Sequence, residues 1–209
     1  MNYKSFLTAT AVGLLAAGQA SAAVITFENL PVGTILSNQY AGVTFSANAF
    51  TGNGGPNGPW ATNTDMTIVS STGGDVGDLS TPLIVSGNIL RSFNGWLAED
   101  GDPSFRITFA TPLSSISADF AGVSTPADVR LIAFNGLTQI GNVTSTLTAG
   151  QYTLSFAAAS ITSVIITPGS FNDWVGVDNI NYQPVPEAST YAMMVLGLGL
   201  LAFKRRKVA

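Results

Sequence analysis

Phe105-Arg106-Ile107-Thr108-Phe109 and Tyr152-Thr153-Leu154-Ser155-Phe156 alternate apolar with polar side chains at a period of two. Successive side chains of a strand point to opposite faces, so each stretch reads as a half-buried antiparallel strand. The same rhythm joins Ile25 to Phe27 and Val43 to Phe45. Further strands are expected over 66–69, 83–85, 113–120, 129–134, 161–167 and 174–182, divided by turns rich in Gly, Pro, Asn, Asp and Ser. No long helical pattern interrupts them, so nothing is available to carry parallel crossovers. About ten short strands of this kind predict an all-β fold, an antiparallel β-sandwich of jelly-roll type, with an open barrel as the alternative. No fixed-period repeat points to a propeller or solenoid.

Outside this body, both ends of the chain read as processing signals. Lys4 precedes the apolar stretch Phe6 to Ala17, and Ala20-Ser21-Ala22 supplies small residues for signal peptidase, so residues 1–22 are expected to be a removable signal peptide cut between Ala22 and Ala23. At the other end Val185-Pro186-Glu187-Ala188-Ser189-Thr190 opens an apolar run from Tyr191 to Phe203, closed by Lys204-Arg205-Arg206-Lys207. As a helix the run spans roughly 20 Å, short of a hydrocarbon core of about 30 Å. The basic cluster stays on the cytoplasmic side, which places the preceding body on the far side of the membrane.

This three-part tail resembles the sorting signal of PEP-CTERM proteins, which exopolysaccharide-rich bacteria export and process with a membrane enzyme, exosortase. Pro186 and Glu187 match the sorting motif, and Lys204, Arg205, Arg206 and Lys207 match its basic cluster, while Ala188 replaces the usual second proline. The resemblance implies residues 185–209 as a sorting signal with a short transmembrane helix, an exosortase-type partner, and a transient stay in the inner membrane. It further implies display at the cell surface or in the extracellular matrix of a Gram-negative bacterium. The sequon Asn142-Val143-Thr144 carries no weight in such a host.

Residues 23–184 remain as one sandwich domain, long enough for a sizeable core. Between Ala23 and Glu187 the basic side chains are Arg91, Arg106 and Arg130 against twelve carboxylates, a formal net charge of −9. Such a surface repels phosphate backbones, which argues against nucleic acid, and suits oxygen-ligated cations, calcium first. The chain has no cysteine and no histidine, and this body has no lysine, which removes disulfides, thiolate metal sites and most general bases and activated nucleophiles. Catalytic residues are therefore not assigned; a two-carboxylate glycosidase drawing on Glu28, Glu99, Asp100 and Asp102 is the enzymatic alternative.

The opening Ile25-Thr26-Phe27-Glu28 through Asn38-Gln39-Tyr40-Ala41-Gly42-Val43-Thr44-Phe45, and the close Gly176-Val177-Asp178-Asn179-Ile180, are similar to exported PEP-CTERM sandwich domains and to galactose-binding-like carbohydrate modules. That resemblance implies a structural calcium joining first and last strands, with Glu28 and Asp178 as the matching carboxylates. The alternation independently slips at Asp178-Asn179, since Val175 and Val177 share one face while Ile180 and Tyr182 take the other. A bulge there is expected with or without a metal.

Two Gly- and Asn-rich loops hold candidate sugar contacts: Trp60 within 48–65, and Arg91 with Trp96 within 88–102. An exposed tryptophan stacks on the apolar face of a sugar ring; the alternative is that both fold over the core edge. Asp75 and Asp78 mark a second calcium loop or a plain turn. The domain is thus expected to be non-enzymatic. It either associates with extracellular polysaccharide or acts as a structural or adhesive matrix component through protein contacts.

Overall fold

A computed structural model describes residues 21–47, 66–72, 84–91, 104–123, 129–144, 150–167, 176–186 and 195. Its compact unit runs from Ala22 to Pro184. Nine strands follow in order: β1 (Ala23–Ile25), β2 (Val43–Ala47), β3 (Thr67–Ser70), β4 (Asn88–Arg91), β5 (Phe105–Val123), β6 (Arg130–Asn135), β7 (Thr138–Thr144), β8 (Gly150–Thr167) and β9 (Gly176–Pro184). Every pairing between them is antiparallel.

The alternating stretches that open the sequence reading are parts of two long strands. β5 unites the segments expected at 105–109 and 113–120, and β8 unites those at 152–156 and 161–167. Their ladder breaks between Thr108/Leu113 and Leu113/Ser115, where Thr108 pairs with Ser163, Leu113 with Ile161 and Ser115 with Ala157. Pro112 stands in that break and offers no N–H to a ladder. Extra residues bend a strand, and here both bend together. Their first-sheet halves carry β2 on one side and β6 with β7 on the other. Their second-sheet halves carry β9, which in turn holds β4 along one stretch of its outer edge and β1 along the next.

The two sheets face one another across a single main core. Phe45, Phe105, Ile107, Leu131 and Ile166 from the first meet Ile116, Phe120, Leu154, Val177 and Ile180 from the second. Phe109 of β5 lies 5.4 Å from Tyr182 of β9, ring centre to ring centre. At Gly141 of β7 a β-carbon would come within 2.1 Å of the Phe156 ring, so only glycine lets β8 approach there. This is an antiparallel β-sandwich of jelly-roll type, the architecture the period-two pattern leads one to expect.

Local differences have physical causes. Ile84 and Val85 bend rather than pair, and the strand expected near 83–85 forms instead at Asn88–Arg91, inside what the sequence suggested was a loop. Turn-forming Ser86-Gly87 precedes it, with Gly87 at φ +64°. β7 was not anticipated, because only Ile140 and Val143 among its residues are large and apolar. β1 ends at Ile25, so Glu28 falls beyond the first strand in a turn where Phe27, fully buried, takes φ +59°. Residues 1–20 and, apart from Val195, residues 187–209 lie outside the described residues, as do Trp60, Trp96, Trp174, Asp75, Asp78, Glu99, Asp100 and Asp102. Among the described residues no helix is long and apolar enough to cross a membrane.

Candidate functional site

Two polar regions of the second sheet stand out. The first is a corner where the chain's beginning, the approach to β4 and the start of β9 converge. β9 pairs Ser117 with Asn181 but Asp119 with Asp178, so it carries one extra residue, and Asn179 takes φ +47° to accommodate it. The slip in alternation is therefore a true bulge.

At this corner the Asp178 carboxylate accepts from the Asn179 amide at 2.7 Å and from the Ser86 amide at 3.2 Å. Glu28 accepts from the Asn88 amide at 3.1 Å, and the Asn88 side chain donates to the Leu30 carbonyl at 2.8 Å. Two carboxylates distant in sequence thus bracket one turn, Ser86-Gly87-Asn88. A β-carbon at Gly87 would sit 2.0 Å from Glu28 Oε1, so the turn cradles that carboxylate. Asp178 is 1% exposed, and burial pushes its carboxyl up to about 6 against the pull of its two amide donors, with the Glu28 and Asp119 charges adding to the rise. Burial also raises the Tyr40 phenol; its hydrogen bond to Phe27 opposes this, and the Asp178 charge adds to it.

Glu28 and Asp178 are thereby brought together. Their oxygen donors suit a hard cation, and the accumulated negative charge on a buried carboxyl is what such an ion would relieve. Their amide partners, however, hold the turn by themselves, and among the described residues no three His, Cys, Asp or Glu side chains are grouped to hold a metal. Asp119 was missed in the sequence: its carboxylate accepts from Thr153 Oγ1 and, at 2.9 Å, from Asn179 Nδ2. Its signal was legible, as it is the one acid within the Ser115-to-Phe120 alternation.

The second region is a shallow trough of about 670 Å³ on the outer face of the second sheet, crossing β1, β9, β5 and β8. One row of its floor runs Val24, Asn181, Ser117, Ser155, and the next runs Gln183, Ser115, Ala157. Serine hydroxyls and the Asn181 and Gln183 amides share the lining with Val24, Ala157, Ile116, Phe156 and Tyr182, so the trough is mixed polar and apolar. Ala22 and Ala23, the expected cleavage junction, line its end. Sequence reasoning missed this trough because it is made by register across four strands. Arg91 lies elsewhere, half-buried at the end of β4 opposite Thr67 and Gly176.

Fold and tail together define a class: an all-β sandwich domain followed by a sorting segment. Residues 184–208 match the PEP-CTERM protein-sorting motif, so the chain carries that signal, which implies export, sorting to the cell surface and processing by exosortase. No curated protein matches the chain. Among solved structures it is similar to the K2 cleaved adhesin domain of Lys-gingipain, at 14% identity and a TM-score of 0.46, covering 78% of this chain and 99% of that one. It is similar too to the K1 cleaved adhesin domain of Lys-gingipain from Porphyromonas gingivalis W83, at 12% identity and 0.44, covering 79% and 99%. A family 11 carbohydrate-binding module from Clostridium thermocellum matches at 12% identity and 0.30, covering 81% and 99%. These likenesses concern the fold.

Proposed function

We propose that this is a non-enzymatic protein of the cell surface or extracellular matrix that holds extracellular polysaccharide in the trough of its second sheet. The observation that carries the reading is the trough's chemistry: a shallow floor of Ser115, Ser117, Ser155, Asn181 and Gln183, open enough for a chain of sugars and rich in partners for their hydroxyls. Among its described lining residues there is no carboxylate, whereas glycoside hydrolysis uses a facing pair. Trp60 and Trp96 would add stacking surfaces from their own segments, and Arg91 a charged contact at the end of β4. Calorimetry of the exported protein against the producing organism's own polysaccharide tests this. Saturable binding that Ser155→Trp abolishes supports the trough; no binding by the parent protein moves the function to matrix structure.

In this scheme the apolar 191–203 segment parks the domain in the inner membrane, Lys204 to Lys207 fix its orientation, Pro186 and Glu187 serve as the sorting residues, and the processing enzyme separates domain from tail. Intact masses from cells with and without that enzyme check the step, and an unshortened protein in both would sink it.

Calcium at Glu28 and Asp178 is the proposed structural cofactor, fastening the chain's first strand and the approach to β4 onto β9. The Glu28→Ala, Asp178→Ala double variant should lose calcium binding by calorimetry; affinity equal to the parent's removes these residues from the site.

An adhesive role through protein contacts is favoured by one observation. β7 ends the first sheet, pairs only with β6 among the described strands, carries no charge, and lies beside Leu137, 101% exposed. An edge of that kind is open to strand addition. Concentration-dependent association that Ile140→Lys abolishes, without polysaccharide binding, would establish this role instead.

A further inference from the structure

The two sheets of the sandwich differ in charge. The first-sheet segments of β2, β5, β6, β7 and β8, residues 43–47, 105–109, 130–135, 138–144 and 161–167, contain no aspartate or glutamate, and they hold Arg106 and Arg130. The described carboxylates Glu28, Asp119 and Asp178 all belong to the second-sheet side. Among the described residues, then, the charged side chains of the first sheet are arginines, and the carboxylates lie on the second-sheet side.

The outer face of the first sheet is built. Phe105 and Ile107 point into the core, which turns Arg106 outward, and Leu131 and Ala133 likewise turn Arg130, Ile132 and Phe134 outward. Arg106 of β5 reaches across β8: its Nη1 donates to Ser163 Oγ at 2.8 Å, and its guanidinium carbon lies 4.7 Å from the centre of the Phe134 ring on β6. The stem roofs Ile165, which explains why an outward residue is only 8% exposed. Stacking and the hydroxyl hold the guanidinium plane in place, leaving its other edge for a planar bidentate acceptor. Arg130 pairs with Thr167 two residues further along β8, and that threonine, 2% exposed, carries a hydroxyl with no hydrogen-bond partner. From strand spacing and rise, the Arg106 and Arg130 backbones stand about 12 Å apart, a separation that acidic sugars on a single chain can meet together.

We propose that the outer face of the first sheet is a binding site for anionic polysaccharide, with Arg106 and Arg130 taking carboxylate groups spaced along the polymer. This rests on the polysaccharide reading for its biological source and uses a surface separate from the trough. Phosphate-bearing membrane surfaces are the competing occupant; the stacked Arg106 favours a planar carboxylate.

The test is calorimetry of the exported protein with polygalacturonate, with neutral dextran, and with vesicles of anionic phospholipid. The expected result is binding to polygalacturonate alone. It should weaken about tenfold or more in R106Q/R130Q and fall on raising salt from about 0.05 to about 0.3 M. Because Arg106 also packs on Phe134, Thr108→Asp provides a second variant: Thr108 is exposed on the same face, and its carboxylate should weaken polygalacturonate binding with the thermal midpoint kept. Ser155→Trp should leave that binding intact, so the trough can fail while this face survives, and the reverse. Equal binding by parent and both face variants, dextran bound as well as polygalacturonate, or Arg-dependent binding to vesicles alone would each overturn the proposal.

Discussion

β8 and β9 are both interior strands of the same sandwich, yet they cohere by different means. From Ile161 to Thr167, β8 is buried on both faces where it crosses the first sheet, with Ile161, Val164 and Ile166 wholly inside the core. β9 is bulged, bears Asp178 and Asn179 at its kink, and receives β1 and β4 side by side on one edge. Burial along β8 is non-directional and indifferent to pH. The β9 corner depends on a few polar contacts whose strength follows the protonation of Asp178. The sandwich is thus held by one region, while the joining of its first strand is left to a condition-sensitive one.

The sharpest way to break the contrast is to cut the β8 side. Ile166→Ala should cost about 3–4 kcal/mol, seen as a lower midpoint in urea unfolding with little pH dependence. A loss no larger than that from a β9-corner variant would remove the distinction. Gly141→Ala, which drives a β-carbon into the Phe156 ring between the sheets, should cost about 2–3 kcal/mol in the same assay.

The β9 corner should announce itself through pH. Asp178 has its folded carboxyl raised to about 6 from 3.8, so between those values the folded chain binds the proton more tightly than the unfolded one. Stability from this group is therefore full below about pH 4 and is lost as pH rises through about 6, by about 2 kcal/mol, in chelator. Asp178→Asn should flatten that slope relative to the parent. Calcium, if it binds as proposed, would favour the ionised form and reverse the slope, so a pH series of unfolding with chelator and with calcium tests the proposed ion as well as the corner. The smallest effect is expected from Gly87→Ala, about 1–2 kcal/mol, because φ +64° disfavours a side chain and the added carbon displaces Glu28. Proteolysis near the turn should rise in parallel.

Much of this architecture was legible in the residues. Alternation at 105–109 and 152–156 announced half-buried strands, the slip at Asp178-Asn179 announced the bulge, and the tail announced its sorting signal, because each is written in neighbouring residues. β7 was not legible, since Gly141 and Asn142 interrupt any apolar rhythm, and its place depends on a contact with Phe156 that only the folded sheets create. β4 was misplaced by a few residues because Ile84 and Val85 look like a strand but precede the turn that lets pairing begin.

The sequence by itself determined an all-β body without histidine or cysteine, an acidic net charge and an exported fate, all of which follow from composition and local period. Tertiary structure alone decided that four expected strands are two bent ones, that Glu28 and Asp178 share one turn, and that Arg106 and Arg130 lie on the opposite sheet from Asp119 and Asp178. Those facts depend on strand register between residues as far apart in the chain as Ala23 and Tyr182, and register is settled by which faces bury together, not by any residue's neighbours.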